Sequence, residues 1–259
     1  MALLRAKLLI ISRKSLNKMQ ITEYKVKAPV AKNLKAAFIA DSHDKPYCAI
    51  VDRIKEACVD VIFCTGDIIY GHDDTVNNSF DMLKELKALA PVFMSLGNHE
   101  GGAVKKVRSF CKNSGITLLE DEYVEFEGIK IGGITSGLIV NDESVQEHHL
   151  GMTPPPNLEW LKSFSTLDGY KLLLNHHPEY YPDYIKDLNI DLTLSGHAHG
   201  GQIRIFGQGL IAPGQGFFPK YTSGMHDGRL IVSRGLANNA PPIPRLFNRK
   251  ELIFIKFYN

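Results

Sequence analysis

At 259 residues the chain is long enough to bury one sizeable core, which predicts a single large domain rather than several. Its 44% hydrophobic and 22% charged residues are ordinary for a soluble globular protein, and a formal net charge of +2 is too small to argue for nucleic acid. Cys48, Cys58, Cys64 and Cys111 follow no CxxC spacing, so they are expected as reduced, mostly buried thiols of a cytoplasmic protein.

Residues 1–11 are rich in leucine and isoleucine, but Arg5 and Lys7 interrupt them, so they fall short of the roughly 20 apolar residues of a spanning helix. Arg13, Lys14 and Lys18 follow. The segment is expected to be a helix packed on the domain or a frayed end; the alternative is a basic arm in peripheral contact with anionic lipid. Residues 21–29 alternate apolar and polar, as an edge strand does. Residues 1–33 are thus read as an arm and edge strand of the same domain, whose body is 34–259.

From residue 36 onward, strand and helix patterns alternate. Residues 36–40 form an apolar run ending at Asp41-Ser42-His43, and 47–58 carry helical spacing through Ile50, Val51, Ile54 and Cys58. A second run, 59–64, ends at Gly66-Asp67; residues 76–89 read as a helix; a third run, 91–96, ends at Gly97-Asn98-His99-Glu100. Such alternation predicts a parallel sheet covered by helices. After a helix around 103–112, strands in 116–134 join at Glu127-Gly128. A helix is expected at 157–164, then strands at 172–174, ending at Asn175-His176-His177, and at 192–194, ending at Gly196-His197-Ala198-His199. Segments 202–206, 229–233 and 252–257 complete the strand pattern. The whole is expected to be α/β, two sheets packed face to face with helices outside.

Six of the ten histidines lie in these five blocks, each where an apolar run stops. Loops at strand ends are where open α/β sheets gather ligands. Aspartate and neutral imidazole suit borderline divalent metals such as Zn, Mn and Fe. Asp41 with His43, and His197 with His199, each offer paired donors; the Asp67 carboxylate can bridge two ions, and Asn98 offers a neutral oxygen. Two ions about 3.5–4 Å apart polarise a phosphate and hold a hydroxide for in-line attack. His99 is then a spare acid for the leaving oxygen, with Glu100 as its orienting partner.

The ordered set D-x-H, G-D, G-N-H-[DE], a histidine after a strand, and G-H-x-H resembles the calcineurin-like metallophosphoesterase family over residues 36–200. The resemblance implies a four-layer α/β/β/α sandwich of two mixed sheets and a dinuclear site. It implies that Asp41, His43 and His199 bind one metal, that Asn98, His176 and His197 bind the other, that Asp67 bridges them and that His99 is the leaving-group acid. The family histidine aligns with either His176 or His177. His176, directly after the apolar run, is taken as the ligand, leaving His177 with Glu100 to contact substrate. Gly200-Gly201-Gln202, Tyr221-Thr222-Ser223-Gly224 and Ser233-Arg234-Gly235-Leu236 are similar to a bacterial branch with a GHxHGGQ motif. Its members are often membrane-tethered, and some cleave phosphodiester or lipid-linked pyrophosphate bonds. This chain departs from the branch in lacking a clear anchor and in carrying Asp44, expected to acidify the mouth of the site.

The expected function is a hydrolase of phosphodiester, phosphomonoester or pyrophosphate bonds on a lipid-linked or nucleotide substrate, with two divalent ions (Mn, Fe or Zn). The alternatives are a non-catalytic metal-binding interaction module or a nuclease; no nucleic acid is expected. Arg234 is read equally as a phosphate contact or a carboxylate partner. Tyr180-Tyr181 and Phe217-Phe218 are read equally as an apolar substrate wall or as core. His72, His148, His149, His226, Asp73 and Asp74 are read as surface residues, and 241–245 as a rigid surface loop.

Overall fold

The computed structural model describes residues 19–71, 76–144, 153–237 and 243–259. The expectations for residues 1–18, for His72, Asp73 and Asp74, for His148 and His149, and for Pro241-Pro242 lie outside the described residues.

One six-stranded sheet is built from β1 (Gln20–Lys27), β2 (Leu34–Ile39), β3 (Val61–Thr65), β4 (Val92–Ser95), β5 (Thr117–Leu118) and β12 (Glu251–Tyr258), in the order β1-β12-β2-β3-β4-β5. The second contains β6 (Glu122–Phe126), β7 (Ile129–Ile134), β8 (Tyr170–Asn175), β9 (Leu192–Ser195), β10 (Gly224–His226) and β11 (Leu230–Val232), in the order β10-β11-β9-β8-β7-β6. Both are mixed. In the first, only the β12–β2 pair is antiparallel; in the second, β7, β8, β9 and β11 run parallel and the two edge pairs, β6–β7 and β10–β11, are antiparallel.

The period-2 geometry of strands explains the layering. Ala37 and Ile39 of β2, and Ile62 and Cys64 of β3, enter one core layer with α1 (Cys48–Ala57), α2 (Asn77–Leu89) and α3 (Val104–Ser114). Their neighbours Ala36, Phe38, Val61 and Phe63 face the other way, meeting Leu172 and Leu174 of β8 and Leu192 and Leu194 of β9. Leu173 points outward again, toward Leu161 and Phe164 of α4 (Leu158–Ser165). Strands buried on both faces read as continuous apolar runs, which is why β2, β3, β8 and β9 stand out in the sequence. The result is the expected α/β/β/α sandwich.

Three expectations change. Only Arg204–Ile205 of the 202–206 segment is extended, paired with Gln208–Gly209, because Gln202 (φ 53°, ψ −67°) centres a γ-turn closed by the Ile203 N–H donating to Gly201 O at 2.7 Å. Cys48 and Cys58 are exposed while Cys64 and Cys111 are buried, all four as free thiols. Cys58 sits at φ 50° as the left-handed end of α1, a position that faces solvent. Tyr180 and Tyr181 are core residues, whereas Phe217 and Phe218 are 71% and 72% exposed. Among the described residues no helix is long and apolar enough to cross a membrane.

Candidate metal centre

All five polar blocks leave the carboxyl ends of parallel strands: Asp41–His43 after β2, Asp67 after β3, Asn98–Glu100 after β4, His176 and His177 after β8, and His197 and His199 after β9. The two sheets therefore bring their loops to one rim. Backbone bonds lash the loops together: the His43 N–H donates to Asp67 O at 3.0 Å, and the Gly196 N–H to His176 O at 3.0 Å. Gly66, at φ +85°, is required here, since a Cβ on it would lie 2.2 Å from Gly97 N.

Asp41, His43, Asp67, His197 and His199 all adopt positive φ, between 45° and 65°. A non-glycine residue in that region costs about 1–3 kcal/mol, and such strain clusters at functional sites. Five of the seven expected metal ligands are thus among the sixteen non-glycine positive-φ positions of the described residues, while Asn98 and His176 are not.

Asp67 is the hub. Its Oδ2 lies 3.2 Å from His176 Nε2, 3.8 Å from His43 Nε2 and 3.8 Å from His99 Nε2. His176 Nε2 also lies 3.1 Å from Asn98 Oδ1, while its Nδ1 donates to Thr65 O at 2.7 Å. That backbone contact fixes a proton on Nδ1 and aims Nε2 at Asp67 and Asn98, where a bound cation would take the place of the second ring proton. On the other side His43 Nε2 faces His199 Nε2 at 3.2 Å, and His199 Nε2 is 3.7 Å from Asp41 Oδ1. Asp41 also accepts the His197 N–H on both oxygens, at 3.0 and 3.1 Å.

The electrostatics separate the rings. Burial pushes His43 down to about 3, and burial with the neighbouring His43 pushes His199 well below its usual value. Both are neutral donors. Burial also opposes charge on His176, but the Asp67, Asp41 and Glu100 carboxylates outweigh it and hold this ring up at about 10. Burial pushes Asp41 up to about 6; Asp67 stays well below the usual range because His176 and His99 outweigh its burial. The Nδ1 atoms of His43 and His199 are buried without a hydrogen-bond partner among the described residues. Two neutral imidazoles nose to nose, flanked by carboxylates, make a donor set that fits divalent cations. Asp41, His43 and His199 form one group able to hold an ion, and Asp67, His176 and His197 another.

Three expected substrate contacts are placed elsewhere. Glu100 is fully buried and accepts backbone N–H bonds from Asp67 (2.8 Å), Ile68 (2.8 Å), Ile69 (3.2 Å) and Gly97 (2.7 Å). It shapes the loops and does not orient His99. Burial and the Asp67 carboxylate push it up to about 7, opposed by those N–H donors. His177 is also fully buried, with Nε2 at 2.6 Å from Ser136 Oγ and Nδ1 at 3.1 Å from Glu179 Oε1, so neither nitrogen is left for substrate. Arg234 turns to Glu251 (Nε to Oε2, 4.0 Å) and donates to Gln20 Oε1 at 3.3 Å, the carboxylate-partner reading. Asp44 also turns away from the mouth: its Oδ1 accepts from Ser79 N at 2.7 Å and Oγ at 2.8 Å.

His99 is the accessible member, its side chain 24% exposed, packed edge-on to His43 and stacked on Tyr70 at 5.1 Å between ring centroids. His226 is partly buried and faces Ser223 O at 3.1 Å. Two residues near the centre escaped the sequence reading: Tyr70, three positions after Asp67, and Glu179, two after His177. Burial works against charge on Glu179, yet the His197 and His177 rings hold it down at about 2.

Residues 34–201 match the family model described as calcineurin-like phosphoesterase. An uncharacterized metallophosphoesterase of Aquifex aeolicus is 28% identical over 211 residues, 76% of this chain and 72% of that protein. The phosphodiesterase YaeI of Escherichia coli is 30% identical over 190 residues, 66% of this chain and 62% of that protein. Several further relatives are matched over less than half of their own length. A dimetal phosphatase from Danio rerio shares the fold at TM-score 0.55 and 14% identity, covering 80% of this chain and 89% of that one.

Proposed function

The chain belongs to the calcineurin-like phosphoesterase family, and from that premise we propose that it is a two-metal hydrolase of phosphate mono- or diesters. The observation that carries the reading is the convergence of Asp41, His43, Asn98, His176, His197 and His199 around Asp67. The name of the Escherichia coli relative supports diesters, and that of the Danio rerio structure supports a dimetal phosphatase chemistry.

In this proposal Asp41, His43 and His199 hold one ion, and Asn98, His176 and His197 hold the other, with Asp67 shared. Divalent ions bound there (Mn, Fe or Zn) supply Lewis acidity toward the phosphate oxygens and the attacking water. The protein residues do the rest. Thr65 O fixes the His176 tautomer, and Glu100 keeps the Asp67 and Gly97 loops in register. His99, at the rim, gives its proton to the leaving oxygen as the P–O bond breaks; water's oxygen bonds to phosphorus, and the proton it sheds passes to solvent, from which His99 is reprotonated. The substrate is a phosphate ester, lipid-linked or nucleotide.

The test is hydrolysis of bis-p-nitrophenyl phosphate and p-nitrophenyl phosphate by metal-stripped protein, with Mn, Zn or Fe added back. Metal-restored turnover supports the proposal, and the ratio of the two rates assigns diester or monoester preference. Metal binding without turnover on either ester or on pyrophosphate would favour a non-catalytic interaction module.

A further inference from the structure

Behind the centre lies a chain of buried polar groups that the proposed reaction does not use. Ser136 Oγ accepts the Leu138 N–H at 3.2 Å and stands 2.6 Å from His177 Nε2. The Glu179 carboxylate can only accept, so the His177 ring proton sits on Nδ1 and donates to Oε1 at 3.1 Å, which leaves Nε2 to accept the Ser136 hydroxyl. Thr153 Oγ1 donates to the same oxygen at 2.6 Å. Gly214 closes the pocket from the far side, where a Cβ would lie 2.1 Å from Oε1. Oε2 is buried with no hydrogen-bond partner among the described residues. A carboxylate held on one oxygen by His177 and Thr153, with the Gly214 turn packed against it and Ser136 fixing the far side of the His177 ring, is set in place, and it faces His197 Nε2 at 3.7 Å.

From this geometry we infer that Glu179 is a positioning residue that selects the tautomer of His197 and aims that ring at the metal centre. An anion beside Nε2 favours the proton there, which leaves the lone pair on Nδ1. Histidine ligands rely on such partners, whose loss weakens metal binding about 10- to 100-fold. His177 and Glu179 would form a second layer behind an ion held by Asn98, His176 and His197, whereas on the other side the Nδ1 atoms of His43 and His199 have no hydrogen-bond partner among the described residues. The inference rests on the two-metal reading above for its consequence, but the tautomer itself is a property of the metal-free protein.

The experiment compares the full chain with E179A and E179Q by long-range 1H–15N NMR, calorimetric titration with Mn or Zn, and thermal melting. The expected result is an Nε2–H tautomer for His197 in the metal-free wild type, lost in E179A. One of two binding events should weaken about 10- to 100-fold in E179A while the other is unchanged. E179Q, which keeps an acceptor oxygen without the charge, should fall between and serves if E179A does not fold. An Nδ1–H tautomer in the wild type, unchanged affinities in both variants, or equal weakening of both events would overturn the inference. A wild type that binds no ion would sink the hydrolase reading instead, while the tautomer comparison would still decide for or against Glu179.

Discussion

Replacing Gly66 with alanine separates the cost of a strained turn from the cost of moving the centre. Gly66 sits at φ +85°, with a virtual Cβ 2.2 Å from Gly97 N, 2.5 Å from Gly97 Cα and 2.8 Å from Leu96 C. Every one of these neighbours is backbone. Reaching the 3.0 Å that real Cβ contacts respect means moving from 2.2 to 3.0 Å, so the loops after β3 and β4 must part by at least 0.8 Å. Those loops carry Asp67 and Asn98. Gly207 is the control: it has the same φ of +85° and nothing within 4 Å of its virtual Cβ. G207A should lose only the left-handed penalty of about 1–2 kcal/mol. G66A adds an overpacking cost of about 1–3 kcal/mol. At roughly 2–4 °C per kcal/mol for a chain of this size, the melting temperature should fall by about 10 °C for G66A and about 5 °C for G207A. A misplacement near 1 Å costs on the order of 100-fold in rate, so turnover of bis-p-nitrophenyl phosphate should drop by that much in G66A and remain unchanged in G207A. Equal melting temperatures and equal rates for the two variants would refute the argument that Gly66 sets the spacing of the centre.

Three further outcomes are expected. H99A should retain metal and lose about 10²–10⁴-fold in kcat on esters with poor leaving groups, with a much smaller loss on p-nitrophenyl esters; equal losses on both would remove His99 as the acid. D44A should cost about 1–2 kcal/mol in denaturant melts without altering KM, since its carboxylate caps the first turn of α2 through Ser79; a changed KM with unchanged stability would return it to the mouth of the site. Addition of Mn at about 100 times its Kd should stabilise the stripped protein by about 2.7 kcal/mol per site, and no upward shift in melting temperature would contradict an ordered metal centre.

Much of this architecture was legible because its signals are local. Each block closes an apolar run, and the runs at β2, β3, β4, β8 and β9 are conspicuous since both faces of those strands are buried. What escaped depends on contacts between distant segments. His176 and His177 are neighbours with identical chemistry, and only Thr65 on one side and Ser136 on the other separate their roles. Glu179 carries no spacing that marks it; its importance comes from Thr153, His177 and His197 meeting at one oxygen. Asp44 looks like an acidic rim residue until Ser79, 35 positions later, takes its carboxylate. The edge strand at the start of the fold was readable from its alternation, but its parallel pairing with the final strand, Gln20 opposite Glu251, needs the whole chain.

The central claim is that two divalent ions share Asp67. Anomalous diffraction from crystals soaked in Mn tests it most directly. The account predicts two peaks about 3.5–4 Å apart on either side of the Asp67 carboxylate, one beside His43 and His199 and the other beside Asn98 and His176. A single peak, or two peaks of which neither touches Asp67, would contradict it.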